Sequence, residues 1–153
     1  MGRSATATIR INGEKALATL QQLSNKKKVD IKHAKNTLVN IYNKNNDLID
    51  NVVTTYYKKP KSYTGEDLIE IHTHGNPTII NTLSKELLEL GVRPAEPGEF
   101  TKTAYLNGKM DLIQAESVLL LINSTSASGV NLSLNNVAGF ATSELQKIKN
   151  TYF

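Results

Sequence analysis

Chemistry in this 153-residue chain is concentrated in Asp67–His74, where side chains alternate strictly between two sides of an extended strand. Leu68, Glu70, His72 and His74 project one way, and Asp67, Ile69, Ile71 and Thr73 the other. One face is then aliphatic, and the opposite face carries a carboxylate and two imidazoles in a row. An unpaired buried carboxylate is costly, so something must satisfy that row. Glu70, His72 and His74 at spacings of two form a set that zinc or a similar ion accepts, which would make a small metal-dependent enzyme, although no HExxH motif accompanies it. Alternatively, Glu70 accepts the N–H donors of a ligand while Arg10 and Lys109 serve as counter-charges for its carboxylates. A carboxylate facing a guanidine-like edge makes two parallel charge-assisted hydrogen bonds, roughly twice as strong as neutral ones. A third reading is an interaction domain without a ligand, with the amphipathic helix from Val130 as its contact.

Other chemistries are excluded by what the sequence lacks. No Ser-His-Asp or Cys-His arrangement occurs, and the G-x-x-x-x-G-K-[ST] phosphate loop is missing, so nucleotide triphosphate hydrolysis cannot be assigned to this chain. Cysteine is absent, which rules out disulfides and thiolate metal sites and suits a reducing interior. No stretch approaches the roughly twenty apolar residues of a membrane span, and no signal-peptide pattern opens the chain, so a soluble protein is expected. The formal charge of +4, with lysines clustered at Lys26, Lys27, Lys28 and at Lys58, Lys59, Lys61, raises the prospect of a polyanionic partner. No RGG repeat or aromatic series makes that specific to nucleic acid.

The elements that must position these residues follow from periodicity and punctuation. Ala5–Ile11 alternates as a strand with Arg10 on its polar face, and Glu14–Leu23 has the spacing of a short amphipathic helix. Lys35–Tyr42 and Leu48–Tyr57 form a hairpin across the turn Asn43–Asn46. Pro60 and the stretch Ser62–Gly65 interrupt the chain before the central strand. Asn76 then caps a helix with Pro77 at its first position, and Gly91 ends it. A brief strand at Val92–Ala95 and a helical turn at Gly98–Leu106 come next. Asp111 and Gln114 resemble a capping box for Leu112–Ile122, whose nearly uniform apolarity predicts an inner helix. From Ser124–Ser128 a single long amphipathic helix is expected to run through Val130, Leu134, Val137, Ala141, Leu145, Ile148 and Tyr152. The expected division is a ligand-binding domain over residues 1–123 and an amphipathic helix over 124–153 leading toward a further region.

Four segments, IRING from Ile9, SYTGEDLIEIHTHG from Ser62, RPAEPGEFT from Arg93 and AYLNGKMDLIQAE from Ala104, closely resemble the N-terminal domain of the MnmE (TrmE) family of tRNA-modification GTPases. The motifs come in the family's order and span most of the chain. The resemblance implies an α+β fold, a mixed β-sheet with helices packed on it, like the folate-binding part of the glycine-cleavage T-protein. It also implies homodimerisation and a tetrahydrofolate one-carbon donor, 5-formyl- or methylene-tetrahydrofolate, bound near the dimer interface. Carried over motif by motif, the folate contacts are Arg10, Glu70 and Lys109. Glu70 pairs with the pterin's amino and ring N–H edge, Arg10 and Lys109 offset negative charge, and His72 and His74 are structural. In that family the whole enzyme works with MnmG, a flavin protein, on the wobble uridine of certain tRNAs. GTP, Mg and K belong to a GTPase domain that this chain does not contain, so the chain alone is not expected to be catalytic. A bacterial cytoplasm is implied, or a mitochondrion for a eukaryotic source.

Departures from the family pattern are local. Asn76 stands where glycine is usual, which asparagine tolerates at positive φ. Thr103 replaces a usual arginine, and Leu120 and Asn123 stand where aspartates are common. Of the strand that normally precedes the first motif, only Gly2-Arg3 remains.

Overall fold

A computed structural model describes residues 4–25 and 29–152, so the Lys26–Lys28 cluster and the Gly2-Arg3 remnant lie outside the described residues. The chain forms two compact units, one up to Pro97 and one from Gly98.

In the first unit, β1 (Thr6–Asn12), β2 (Asn36–Tyr42), β3 (Leu48–Tyr57) and β4 (Leu68–His74) form one sheet in the order β1-β4-β3-β2. Every ladder between these strands is antiparallel. The parallel component is an isolated bridge between His33 and Tyr56. Alternation determines which face is covered: Ile11, Val39, Ile41, Val52, Ile69 and Ile71 are buried with Leu20 and Leu23 of α1 (Ala16–Leu23) and Leu83 and Leu87 of α2 (Pro77–Glu89). Burying an aliphatic side chain of this size contributes about 1.5–3 kcal/mol, so this layer holds the unit together. The opposite face carries Thr8, Arg10, Glu70 and His72, with Leu38 66% exposed on β2.

Several boundaries differ from expectation for identifiable reasons. α1 begins at Ala16 rather than Glu14, because Gly13 (φ +113) turns the chain and accepts from the Ala16 N–H at 3.0 Å. Asn76 caps α2 as expected, its side chain accepting from the Thr78 N–H at 2.8 Å, but from an extended backbone (φ −91) rather than a left-handed one. Asparagine at this position therefore carries no strain. Val92–Ala95 is not a strand. The Val92 N–H closes α2 by donating to Leu87 O at 3.0 Å and the Gly91 N–H donates to Leu88 O, a Schellman ending with Gly91 at φ +81. That amide is spent on the helix, and Pro94 has none to offer a ladder.

The second unit contains α3 (Glu99–Leu106), α4 (Leu112–Asn123), α5 (Ala127–Val137) and α6 (Phe140–Tyr152). The Asp111–Gln114 capping box is present at the head of α4. α4 is not the inner helix its composition predicts: Leu119, Leu120 and Ile122 are exposed, and Ser117 is its buried residue. Uniform apolarity specifies that a helix prefers cover, not that its own unit supplies it. The expected single terminal helix is two, because Gly139 adopts φ +91 after Ala138 and its N–H turns back to Asn136 O. A left-handed residue cannot continue an α-helix.

Candidate functional site

The antiparallel register of β1 and β4 sets Arg10 directly opposite Glu70 and Thr8 opposite His72. Directly opposed side chains on one sheet face are close enough to bond. Arg10 Nε donates to Glu70 Oε1 at 2.7 Å, with the arginine side chain 59% exposed and the glutamate 17%. An ion pair this open adds at most about 1 kcal/mol to stability, so its consequence is orientation. Oε1 is engaged by the arginine, while Oε2 has no hydrogen-bond partner among the described residues and lies 3.8 Å from His72 Nε2. The other ring nitrogen, Nδ1, is 3.0 Å from Thr8 Oγ1.

The loop before β4 fixes this strand, and it consumes the neighbouring acids. Glu66 Oε2 accepts from Asn12 Nδ2 at 2.6 Å, and Asn12 Oδ1 accepts from Thr64 Oγ1 at 2.5 Å. Asp67 Oδ1 accepts from Tyr56 Oη and from the Lys59 N–H, each at 2.9 Å. Burial, together with the Asp67 carboxylate, pushes the Tyr56 hydroxyl up to about 12. Of the three acids in GEDLIE, Glu66 and Asp67 are therefore tied to Asn12, Tyr56 and the Lys59 backbone, and Glu70 is the one that pairs with Arg10 across the β1–β4 ladder.

The row of alternating groups breaks at His74. The β3–β4 ladder ends at Val53–His72, and beyond it His74 turns toward Asp50. The buried Asp50 carboxylate takes His74 Nδ1 at 2.8 Å, the His74 N–H at 2.9 Å, Thr73 Oγ1 at 2.6 Å and the Asn51 N–H at 2.8 Å. Burial pushes this carboxyl up, but the hydrogen bonds from Thr73, His74 and Asn51 outweigh it and hold the group below its ordinary value. With His74 committed to Asp50, Glu70, His72 and His74 do not form a metal set. Among the described residues no group of three or more His, Cys, Asp or Glu could hold an ion. The Asp50 clamp is the feature that reading by motif missed. Its signal in the sequence was an acid at a core-facing position of β3, in line with Val52, Thr54 and Tyr56.

Lys109 belongs to the second unit, where its backbone N–H closes α3 by donating to Ala104 O at 2.9 Å while the Gly108 N–H donates to Tyr105 O. The loop that holds it is thus set by a Schellman ending. In the first unit the assembled chemistry is non-covalent: an arginine with further N–H donors, an oriented carboxylate oxygen and an imidazole nitrogen lie side by side on a sheet face. That arrangement suits the polar edge of a flat heterocycle.

Comparison with known proteins bears on what such a site serves. Residues 1–109 match the family described as GTP-binding protein TrmE N-terminus. The chain is 40% identical over 153 residues to a Fervidobacterium nodosum protein named tRNA modification GTPase MnmE, covering 98% of this chain and 33% of that protein. A protein of the same name from Francisella philomiragia is 40% identical over 147 residues, 96% of this chain and 32% of the relative. One from Bdellovibrio bacteriovorus is 48% identical over 104 residues, 68% of this chain and 22% of the relative. The chain thus spans about a third of the length, or less, of these curated relatives.

Proposed function

This chain belongs to the family of TrmE N-terminal domains, and on that premise we propose that it is the tetrahydrofolate-binding and homodimerisation domain of a GTPase that modifies the wobble uridine of tRNA. The observation that carries the reading is the Arg10–Glu70 pair: Arg10 Nε holds one glutamate oxygen at 2.7 Å and leaves the other as an oriented acceptor on the sheet face that also carries Thr8 and His72. A pterin's amino and ring N–H groups need such an acceptor, and charge-assisted hydrogen bonds of this kind are strong enough to orient a ring. Arg10 acts first on Glu70, and among the described residues its terminal nitrogens meet no other partner, so they remain for negative charge on the ligand. Lys109 enters as the third contact on its motif. The bound folate, as the 5-formyl or methylene form, supplies the one-carbon unit. GTP with Mg and K, an MnmG-type flavin protein and tRNA are partners of the longer protein, in a bacterial cytoplasm or a mitochondrion. Among the described residues no helix is long and apolar enough to cross a membrane.

Isothermal titration with 5-formyltetrahydrofolate tests the reading. Saturable binding is expected, weakened by about 1.5–3 kcal/mol in Glu70→Ala, the range for a hydrogen bond to a charged group, or roughly 10- to 150-fold in Kd. Unchanged affinity in that variant would refute the assigned role. Lys109→Ala should weaken binding in the same titration, and sedimentation should give twice the chain mass.

A further inference from the structure

The folate reading leaves His72 as a structural residue, yet its ring lies beside the acceptor that the reading depends on. Its Nε2 is 3.8 Å from Glu70 Oε2, beyond hydrogen-bond range, and its Nδ1 is 3.0 Å from Thr8 Oγ1. A lone pair facing a carboxylate oxygen at that distance would be repelled, so the proton of the neutral ring sits on Nε2. Nδ1 then accepts from the Thr8 hydroxyl, which fixes both the tautomer and the ring plane. Protonation of the ring leaves Nε2 a donor as well. The charged groups that face the ring are Glu70 on its own strand and Arg10 on β1, and the β3 residue opposite it is Val53, which carries no charge. The site therefore presents, in order along β4, an acceptor at Glu70 Oε2 and a donor at His72 Nε2. A ligand that satisfies both must carry an N–H immediately beside a carbonyl oxygen.

We propose that His72 is a specificity-determining residue that selects the 4-oxo pterin ring over 4-amino analogues, by donating from Nε2 to the keto oxygen beside the N–H that Glu70 accepts. The inference rests on the folate reading of the same site. A 4-amino ring turns a donor toward Nε2 and, with no hydrogen on the ring nitrogen beside it, also removes the N–H that Glu70 accepts. A site built to hydrogen-bond one group rejects the analogue that lacks it far more strongly than a mere difference in size would. Thr8 is a positioning residue that acts through the ring.

The test is a competition titration of the protein with folic acid and aminopterin, which differ on this edge at C4 and in the hydrogen on the adjoining ring nitrogen, with 5-formyltetrahydrofolate as the reference ligand. The wild-type protein should prefer the 4-oxo compound by about tenfold or more. His72→Phe should reduce that preference by about fivefold or more, leaving the part that comes from the N–H on Glu70, while still binding 5-formyltetrahydrofolate. His72→Gln, whose amide N–H restores a donor, should recover part of the preference, and Thr8→Val should narrow it. The His72 side chain is 35% exposed, so these variants do not burden the core, and far-UV circular dichroism verifies their folding. A preference as large in His72→Phe as in the wild type, or absent from the wild type, overturns the inference while Glu70-dependent folate binding stands. Absence of folate binding to the wild type overturns both.

Discussion

Replacing Asp50 with alanine should destabilise the first unit by about 2–5 kcal/mol, because each buried donor left without a partner costs about 1–3 kcal/mol. The carboxylate accepts from Thr73 Oγ1, the His74 N–H, His74 Nδ1 and the Asn51 N–H. Thr73 is only 2% exposed, so its hydroxyl cannot turn to water, whereas the exposed His74 ring can. The largest share of the loss therefore belongs to Thr73. Thr73→Val removes that orphan in advance, and the double variant should be less destabilised than the sum of the singles by about 1–3 kcal/mol, the coupling typical of contacting pairs. Urea titration followed by far-UV circular dichroism gives the total, and native-state hydrogen exchange at the Ile71 and Thr73 amides isolates the first unit. The pH dependence follows from the direction of the shift. Because folding lowers the Asp50 value, its contribution is present above the ordinary carboxylate range and is lost as pH falls through the lowered value. The gap between wild type and Asp50→Ala should accordingly close in acid. A loss below about 0.5 kcal/mol, the level of an ordinary surface substitution, or strict additivity with Thr73→Val, would refute the account of this clamp.

Three further outcomes are expected. The Tyr56 hydroxyl is raised from 10.0 to about 12, so its contribution is intact below pH 10 and is lost as pH climbs toward 12; at roughly 1.4 kcal/mol per unit this is about 3 kcal/mol, and Tyr56→Phe should lack that alkaline slope, whereas parallel stability curves would contradict the burial argument. Gly75→Ala should destabilise by about 1–3 kcal/mol as an overpacked site, since a Cβ there would collide with the hydroxyl and carbonyl of Ser4, and an unchanged urea midpoint would disprove the close approach of that segment. Asp111→Ala should lower stability by about 1 kcal/mol through loss of the α4 cap, with greater amide exchange at Gln114, and wild-type protection there would contradict the capping box. The hydrogen bond from Thr142 and the Gln114 N–H hold Asp111 below its ordinary value, so this effect should fade in acid.

Most of the first unit was legible because its signals are local. Strict alternation in Asp67–His74 specified β4 and its aliphatic face, the polar turn Asn43–Asn46 specified the hairpin, and Asn76-Pro77 with Gly91 bracketed α2. Arg10 and Glu70 were singled out for charge and face, and antiparallel pairing of β1 with β4 then makes them neighbours. What was not legible depends on partners distant along the chain. His74 has the same alternation as His72, but its ring is claimed by an aspartate 24 residues earlier, where the β3–β4 ladder has already ended. Periodicity cannot register where a ladder stops. Val92 resembled a strand residue because its amide's use in closing α2 leaves no trace in side-chain pattern. Gly139 was overrun for a related reason: the apolar stripe continues through it at helical spacing while its backbone does not.

The most direct measurement is amide chemical-shift mapping of the protein titrated with 5-formyltetrahydrofolate. The account predicts saturable shifts centred on Thr8, Arg10, Glu70 and His72, the facing positions of β1 and β4, with the Asp50 clamp little affected. Shifts centred on the α1 and α2 side of the sheet, or none at saturating ligand, would contradict it.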